Sequence, residues 1–305
     1  MKETSIETIM VVGCGVMGRG IAAVFAGGGI PTVIYDPNVD PATPVPQGVR
    51  LVGTLPDEVP DLVVEAVYEE IEIKRTVFRA LEEVYGDRPI FASNTSGLPL
   101  EDIAIVLAHP QRFLGMHFFT PAEVSPLVEV VRTKKTFDSA VRKATAALAR
   151  AGKEAIVLAH PIVGYLWNRL QHAILHEAYH LIETGTVKAE DIDKVAKRLL
   201  GPRFCVTGLL EGKDINNLEP HMRAQYSIVP HLNHTKEPCA ILGRKLERRE
   251  FGVRSGRGFY DWSGRDADGV VASAKRRLEK LSTFLENELP KGEPDFSPRA
   301  SLPPD

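Results

Sequence analysis

The sequence has few cysteines, no long apolar run and little net charge. Its three cysteines, Cys14, Cys205 and Cys239, are too few and too widely spaced for a disulfide framework or a cysteine-based metal site. They favour a reducing compartment, and we expect a cytoplasmic protein. The net charge of -3 provides no basic field for nucleic acid, and no apolar stretch approaches the length of a membrane span. The expected partner is therefore a small molecule, with no nucleic acid and no membrane.

The pattern of apolar residues predicts two domains. In the first half, short β-rich runs alternate with helical runs, which is typical of a parallel sheet covered by helices on both faces. The first predicted strand begins at Thr8, which leaves no room for a signal peptide. We predict a Rossmann-like, mostly parallel, doubly wound α/β sheet in residues 1–159, followed by an all-helical domain for substrate binding and dimerisation in 160–290. A flexible proline-rich tail is expected in 291–305.

The helical half has three long helical patterns. Apolar spacing predicts helices over 162–183, 189–200 and about 271–289. The second begins with acidic residues, and we expect Gly201-Pro202 to end it, because proline cannot continue a helix.

One connection in the first half departs from the alternation. Four prolines lie between Asp36 and Val49. Proline lacks an amide donor and disfavours helix in the residue before it. This crossover is therefore predicted to be an extended loop.

A glycine-rich turn follows the first predicted strand. Gly13, Gly15 and Gly18 match the Gly-x-Gly-x-x-Gly pattern of dinucleotide-binding turns, within a strand–helix–strand unit. Gly13 permits the tight turn, Gly15 admits the pyrophosphate to the backbone, and Gly18 lets the helix approach the sheet. Amides at the helix N-terminus, which includes Val16 and Met17, are expected to bind the phosphates. The alternative is a glycine turn with no ligand.

Asp36 indicates which dinucleotide binds. It ends the second predicted strand, 18 residues after Gly18. At that position a carboxylate suits the ribose hydroxyls and repels the 2′-phosphate of NADP. We therefore predict NAD as the cofactor.

Polar residues after later strands are candidates for the chemistry. Asn94 and Ser96 lie just past the fifth predicted strand, and His117 lies just past the sixth. These positions share the sheet edge at which open α/β folds bind their ligands. Glu129 lies in the next strand, 12 residues after His117, so adjacent strands could bring its carboxylate beside the imidazole. Asn168 lies on the first helix of the second domain.

Each of these residues also has a structural alternative. His117 could be a packed histidine at a strand end, and Glu129 a charge on a strand face. Ser96 could cap the helix that begins near Pro99. Asn168 could serve only to bind backbone between domains.

These residues belong to a larger set of motifs that resembles the 3-hydroxyacyl-CoA dehydrogenases and their lambda-crystallin (gulonate dehydrogenase) relatives. The likeness covers residues 9 to about 262. Besides the glycine turn, the matching motifs are Leu62-Val-Val-Glu-Ala66, Ser93-Asn-Thr-Ser96, Gly115-Met-His-Phe-Phe119, Leu127-Val-Glu129, Asn168-Arg-Leu170 and Gly256-Arg-Gly-Phe-Tyr260.

The resemblance implies roles for individual residues. It implies that His117 is the catalytic base with Glu129 as its partner, and that Ser96 and Asn168 hold the reacting oxygen. It also implies an NAD-dependent enzyme of fatty acid metabolism that forms a homodimer through its helical domain. The residues implied to line the cofactor site are Glu69, Lys74, Asn94 and Ser96.

Three features depart from the family pattern. Thr120 stands where the family usually has asparagine, and Gly164-Tyr-Leu-Trp167 replaces the familiar Pro-Gly-Phe before Asn-Arg. Acyl-CoA members carry a long helical hairpin after the second strand, where this chain has only the proline-rich loop. The loop puts a coenzyme A carrier in doubt but leaves the redox chemistry unaffected.

The sequence therefore predicts an NAD-dependent dehydrogenase that oxidises a hydroxyl group β to a carbonyl. One alternative is a dehydrogenase of a small hydroxy acid or aldehyde without coenzyme A. The non-enzyme alternative is a structural protein that retains the fold and NAD site, as lens crystallins do. His172, His176 and His180 recur at helical spacing that could bind a metal, but a polar stripe explains them, and no metal is expected.

Overall fold

The chain divides into two compact units, residues 1–170 and 171–305. The computed structural model describes residues 5–40 and 42–287. The domain boundary between 159 and 160 stays a prediction, and the predicted tail over 291–305 lies outside the described residues.

The first unit is built on one eight-stranded sheet with the order β3-β2-β1-β4-β5-β6-β7-β8. Neighbouring strands are parallel except for β6 and β7, which are antiparallel. The predicted mostly parallel α/β fold is therefore confirmed. The strands are β1 (Ile9–Val12), β2 (Thr32–Tyr35), β3 (Val49–Val52), β4 (Leu62–Glu65), β5 (Ile90–Ser93), β6 (Phe113–Phe118), β7 (Leu127–Arg132) and β8 (Glu154–Leu158).

Two apolar clusters show how helices cover both faces of this sheet. One contains residues of α1 (Val16–Gly27) and α4 (Asp138–Arg150), and the other contains residues of α2 (Ile71–Tyr85) and α3 (Leu100–Ala104). The central strands contribute to both clusters, because successive side chains of a strand point to opposite faces. Strands buried on both sides explain the nearly continuous apolar runs in the sequence.

The crossover between β2 and β3 has the extended form that its prolines predict. Its described residues, 36–40 and 42–48, contain no helix. The chain thus passes from β2 to its parallel neighbour β3 without the helix that usually makes such a connection.

The described part of the second unit is helical, as predicted. Helix α5 (Tyr165–Glu183) contains the boundary between the units. The helices that follow are α6 (Ala189–Val195), α7 (Gly201–Thr207), α8 (Glu211–Ile215), α9 (Leu218–Ile228), α10 (Ala240–Glu247) and α11 (Ala267–Asn287).

The prediction that Gly201-Pro202 ends a helix is wrong. A π-helical turn, Ala196–Leu200, links α6 to α7, so the chain stays helical through this dipeptide. Pro202 lies in the first turn of α7, directly after this π-turn. Gly201 has no Cβ to collide with the proline ring, which removes part of the usual conflict before proline.

Candidate active site

The glycine-rich turn joins β1 to α1 with almost no room for side chains. Gly13 has φ of +102°, and a Cβ there would lie 2.8 Å from the carbonyl oxygen of Ala66. A Cβ on Gly18 would lie 1.9 Å from the carbonyl oxygen of Gly13. Gly15 differs, because a Cβ there would have no atom within 4 Å. Two glycines thus shape the turn, while Gly15 leaves its backbone open to a ligand.

Asp36 lies beside this turn, just past β2. Its Oδ2 accepts a hydrogen bond from the amide of Cys14 at 2.9 Å, and its Oδ1 accepts one from the amide of Asn38 at 3.0 Å. A cavity of about 850 Å³ adjoins it. Among its lining residues are Gly13, Gly15, Val16, Met17, Asp36 and Tyr68. An open backbone at a helix N-terminus, with a carboxylate at the next strand end, fits the pyrophosphate and ribose of NAD.

Glu69 is the centre of a polar network beyond β4. Its Oε1 accepts hydrogen bonds from the hydroxyl of Thr95 at 2.5 Å and the amide of Ser96 at 2.8 Å. Burial opposes its charge, but these bonds and the ammonium group of Lys74 outweigh burial and lower the pKa of Glu69. Glu69 is therefore held as a carboxylate at the end of the sheet.

Lys74 lies behind Glu69. Its side chain is 1% exposed, and its Nζ lies 2.6 Å from Oε1 of Glu65 and 3.2 Å from Oε2 of Glu69. Ser93 donates a hydrogen bond to the other oxygen of Glu65 at 2.6 Å. Lys74 is thus linked to the predicted cofactor site through its contact with Glu69, and its own side chain is almost completely buried.

Asn94 and Ser96 lie at the same sheet edge, but Asn94 also has a structural contact. Its Oδ1 accepts a hydrogen bond from the amide of Phe118 at 2.9 Å, which joins the ends of β5 and β6. The helix-cap alternative for Ser96 is not observed, since α3 has no side-chain cap and Thr95, not Ser96, accepts the amide of Leu98 at 3.0 Å.

His117 and Glu129 are directly opposite each other in the antiparallel pair β6–β7. Nδ1 of His117 lies 2.7 Å from Oε2 of Glu129, and both residues are buried. The sequence placed His117 beyond the sixth strand, which is wrong: β6 extends to Phe118 because β7 continues to pair with it there. The cross-strand pairing is what brings the imidazole and the carboxylate together.

The second oxygen of Glu129 holds the start of α5. Its Oε1 accepts hydrogen bonds from the amides of Leu166 at 2.9 Å and Trp167 at 2.8 Å. A carboxylate satisfies free amides at a helix N-terminus and interacts favourably with the helix dipole. The next residue, Asn168, donates through Nδ2 to the carbonyl oxygen of Ser96 at 3.4 Å. Glu129 thereby connects the imidazole to the helix turn that carries Asn168.

Tyr165 is a site residue that was not predicted from the sequence. Its side chain is 1% exposed, its backbone has φ of 47°, and its ring centroid lies 5.5 Å from that of His117. Within the described residues its hydroxyl has no hydrogen-bond partner. Burial raises the pKa of this phenol, and the charges of Glu69 and Glu129 raise it further. The departure from the familiar Pro-Gly-Phe was the signal that could have found it.

Two further aromatic rings flank His117. The Phe119 ring centroid lies 5.0 Å from that of His117, and the Trp167 centroid lies 5.7 Å from that of Phe119, both in edge contacts. Phe119 is half-buried, whereas Trp167 is 50% exposed. Neither residue was predicted from the sequence to have a functional role.

One of the three histidines spaced along α5 has a backbone hydrogen bond. His176 donates through Nε2 to the carbonyl oxygen of Thr235 at 3.0 Å. Among residues 5–40 and 42–287, no group of three or more His, Cys, Asp or Glu side chains could hold a metal ion.

In the same residues, no helix is both long and apolar enough to cross a membrane.

Both units match known family models. Residues 8–52 and 54–161 match "3-hydroxyacyl-CoA dehydrogenase, NAD binding domain", and residues 164–262 match "3-hydroxyacyl-CoA dehydrogenase, C-terminal domain". A probable 3-hydroxybutyryl-CoA dehydrogenase of Bacillus subtilis is 32% identical over 84% of this chain and 98% of its own length. The 5-formyl-3-hydroxy-2-methylpyridine 4-carboxylate 5-dehydrogenase of Mesorhizobium japonicum is 28% identical over 92% of this chain and 99% of its own.

Solved structures show the same two likenesses. A 5-formyl-3-hydroxy-2-methylpyridine 4-carboxylic acid 5-dehydrogenase, described as an NAD⁺-dependent dismutase, superposes with a TM-score of 0.86 at 28% identity. The match covers 92% of this chain and 99% of that one. A 3-hydroxyacyl-CoA dehydrogenase from Archaeoglobus fulgidus superposes with a TM-score of 0.68 at 32% identity, with the same coverage of each chain.

Proposed function

We propose that this chain, which belongs to the 3-hydroxyacyl-CoA dehydrogenase family and is an NAD-dependent oxidoreductase, uses His117 as its proton acceptor when a hydroxyl group β to a carbonyl is oxidised. The observation that carries this proposal is the 2.7 Å contact between buried His117 and Glu129. The chemistry that bound NAD supplies is acceptance of the hydride from the carbinol carbon.

The contact with Glu129 supports a defined tautomer of His117. An ionised carboxylate can only accept hydrogen bonds, so Nδ1 of His117 carries the ring proton and donates a hydrogen bond to Oε2 of Glu129. The lone pair of Nε2 is then free to take the proton of a substrate hydroxyl. The carboxylate also stabilises the imidazolium that forms, as in other His–carboxylate pairs.

Ser96 and Asn168 are proposed to hold the reacting oxygen. The support is their proximity, since Asn168 Nδ2 lies 3.4 Å from the Ser96 carbonyl oxygen at the end of β5. The Ser96 amide is occupied by Glu69, so its hydroxyl is the group proposed to meet the substrate. Hydrogen-bond donors fixed before the reaction stabilise charge on oxygen without reorganisation.

A substrate without coenzyme A is the second candidate. The β2–β3 loop supports it, because its described residues contain no helix that could replace the hairpin implied for acyl-CoA enzymes. The likeness to a pyridine carboxylate dehydrogenase supports it too. Binding energy from a remote carrier normally assists chemistry, so an enzyme without carrier contacts should not depend on the carrier.

Turnover assays with NAD⁺ test both candidates. 3-Hydroxybutyryl-CoA and free 3-hydroxybutyrate present the same reacting carbon with and without the carrier. We expect His117-dependent oxidation and only weak dependence on the coenzyme A moiety. A large preference for the thioester would reject the carrier-free substrate, and activity that survives His117→Gln would reject the assigned base.

A homodimer formed by the second unit is also proposed. In the described part of that unit, only Ala178 and Cys239 belong to the buried apolar residues. Large apolar side chains are exposed there, including Ile174, Phe204, Val206, Leu210, Ile215 and Tyr226. A two-fold contact would cover such a surface. Sedimentation at micromolar concentration should show a dimer, and a monomer would contradict the proposal.

A further inference from the structure

We infer that Phe119 and Trp167 form an aromatic wall that selects a flat aromatic alcohol, or the corresponding aldehyde, as the substrate of this site. The inference rests on the proposed role of His117 as proton acceptor and specifies the second candidate, a substrate without coenzyme A. It starts from the series of edge contacts that runs from His117 to Phe119 and on to Trp167.

The position of Trp167 is determined by the reacting residues themselves. Its amide donates to Oε1 of Glu129, the carboxylate that also binds His117, and its side chain directly precedes Asn168 in the first turn of α5. The backbone that carries the indole is therefore fixed by the same carboxylate that orients the base, and the indole itself contacts Phe119.

The exposure of Trp167 indicates an incomplete aromatic cluster. Phe119 is half-buried between its two neighbours, but half of the indole surface remains accessible. Aromatic rings attract one another through their quadrupoles in edge and offset geometries, beyond the effect of buried area. A third flat ring placed against Trp167 would extend the series beside His117.

The ring form of the substrate also has an entropic advantage over an acyl chain. An alkyl chain also gains binding energy from apolar contact. However, several of its rotatable bonds lose their freedom on binding, and it has no ring quadrupole. In a hydroxymethyl group on a ring, only the bond between the ring and the carbinol carbon must be oriented to place that carbon. In the oxidation, the hydroxymethyl carbon loses a hydride to NAD⁺ and the oxygen loses its proton to His117. The products are the aldehyde, NADH and a protonated imidazole.

A matched pair of substrates isolates the contribution of the ring. 4-(Hydroxymethyl)benzoate and 4-(hydroxymethyl)cyclohexanecarboxylate carry the same groups on an aromatic and a saturated ring. The two differ in intrinsic reactivity, so the informative quantity is the ratio of their kcat/KM values in the wild type compared with Trp167→Leu. We expect this ratio to fall by roughly three- to tenfold in the variant.

Tryptophan fluorescence provides a readout that a merely structural role would not change. The chain has two tryptophans, so Trp262→Phe leaves Trp167 as the only one. In this background, with His117→Gln added to block turnover and NAD⁺ present, 4-(hydroxymethyl)benzoate should quench the emission in a saturable manner, and the cyclohexane analogue should quench it much less.

The outcomes separate the two proposals. If Trp167→Leu lowered kcat/KM equally for both ring substrates, the proposed aromatic wall would be rejected. An emission that did not change when the aromatic ligand was added would also reject it. Oxidation of 3-hydroxybutyrate without oxidation of the benzoate would also overturn it while leaving the role of His117 intact. If His117→Gln changed none of these activities, the proposed function would fail, and the quenching would still show whether Trp167 meets an aromatic ligand.

Discussion

The glycine turn after β1 and the pair His117–Glu129 lie on the same sheet, yet they constrain their residues in different ways. At the turn the constraint is space, because a single methyl group on Gly18 would overlap the carbonyl of Gly13. At the pair the constraint is charge and proton position, because a buried imidazole and a buried carboxylate bind each other. Substitutions should therefore affect binding and stability at the turn, and turnover at the pair.

The largest expected effect concerns the pair. His117→Gln should slow turnover by roughly 10²–10⁴-fold while NAD still binds. Glu129→Gln should cost a similar factor. Its carbonyl can still accept the α5 amides, but its NH₂ group then donates to Nδ1 and moves the imidazole proton to Nε2.

Steady-state kinetics of the double variant sharpens this prediction. Groups that act as one unit are non-additive, so the double variant should be little slower than either single variant. Glu154→Gln, an exposed glutamate on β8, is the control and should be near wild type. Two independent, multiplicative losses would show that the residues do not act together.

The next largest effect is expected at the turn. Gly18→Ala forces a Cβ to within 1.9 Å of a backbone oxygen, and overpacking of this kind costs about 1–3 kcal/mol. Lower thermal stability and weaker NAD binding by calorimetry should result. Gly27→Ala, on the same helix, meets nothing within 4 Å and should be neutral or slightly stabilising. Equal behaviour of the two variants would refute the steric explanation.

Asp36 combines both kinds of constraint, since it supports the turn and carries a charge. Asp36→Asn keeps an acceptor for the Cys14 amide but removes the charge that repels a 2′-phosphate. The preference for NAD over NADP should fall by roughly tenfold. Fluorescence titration of both cofactors measures it, with Asp40→Asn on the same loop as the control. An unchanged preference would mean that selectivity arises elsewhere.

The smallest effect concerns the phenol beside His117. Tyr165→Phe removes a buried hydroxyl that lacks a partner, so the free energy of unfolding should rise by about 1 kcal/mol. Tyr85 is the matched control, because it is equally buried and donates to the carbonyl oxygen of Pro56 at 2.8 Å. Tyr85→Phe should therefore destabilise the protein. Denaturant unfolding that gave the same sign for both would contradict this explanation.

Sequence reasoning was most successful where the interactions are local. The glycine turn and the strand that ends at Asp36 are short patterns whose physical meaning does not depend on distant residues. The approach of Glu129 to His117 could be expected because they lie on consecutive strands. The bond from Leu166 to Glu129 could not, because it joins residues 37 positions apart with helix α4 and strand β8 between them. The helical path through Gly201-Pro202 was missed for a different reason: the π-turn before it is local, but apolar spacing does not reveal it.

The cross-strand register of β6 and β7 has a consequence for how this protein can change in evolution. His117 faces Glu129 because of the ladder, not because of the loop that joins the two strands. A slip by one residue would bring Val128 or Val130 opposite the imidazole and turn the carboxylate to the other face of the sheet. Insertions in the intervening loop, residues 119–126, are therefore tolerable as long as the ladder re-forms, whereas a single deletion inside either strand is not. The pair therefore constrains the register of the two strands more than it constrains the length of the loop.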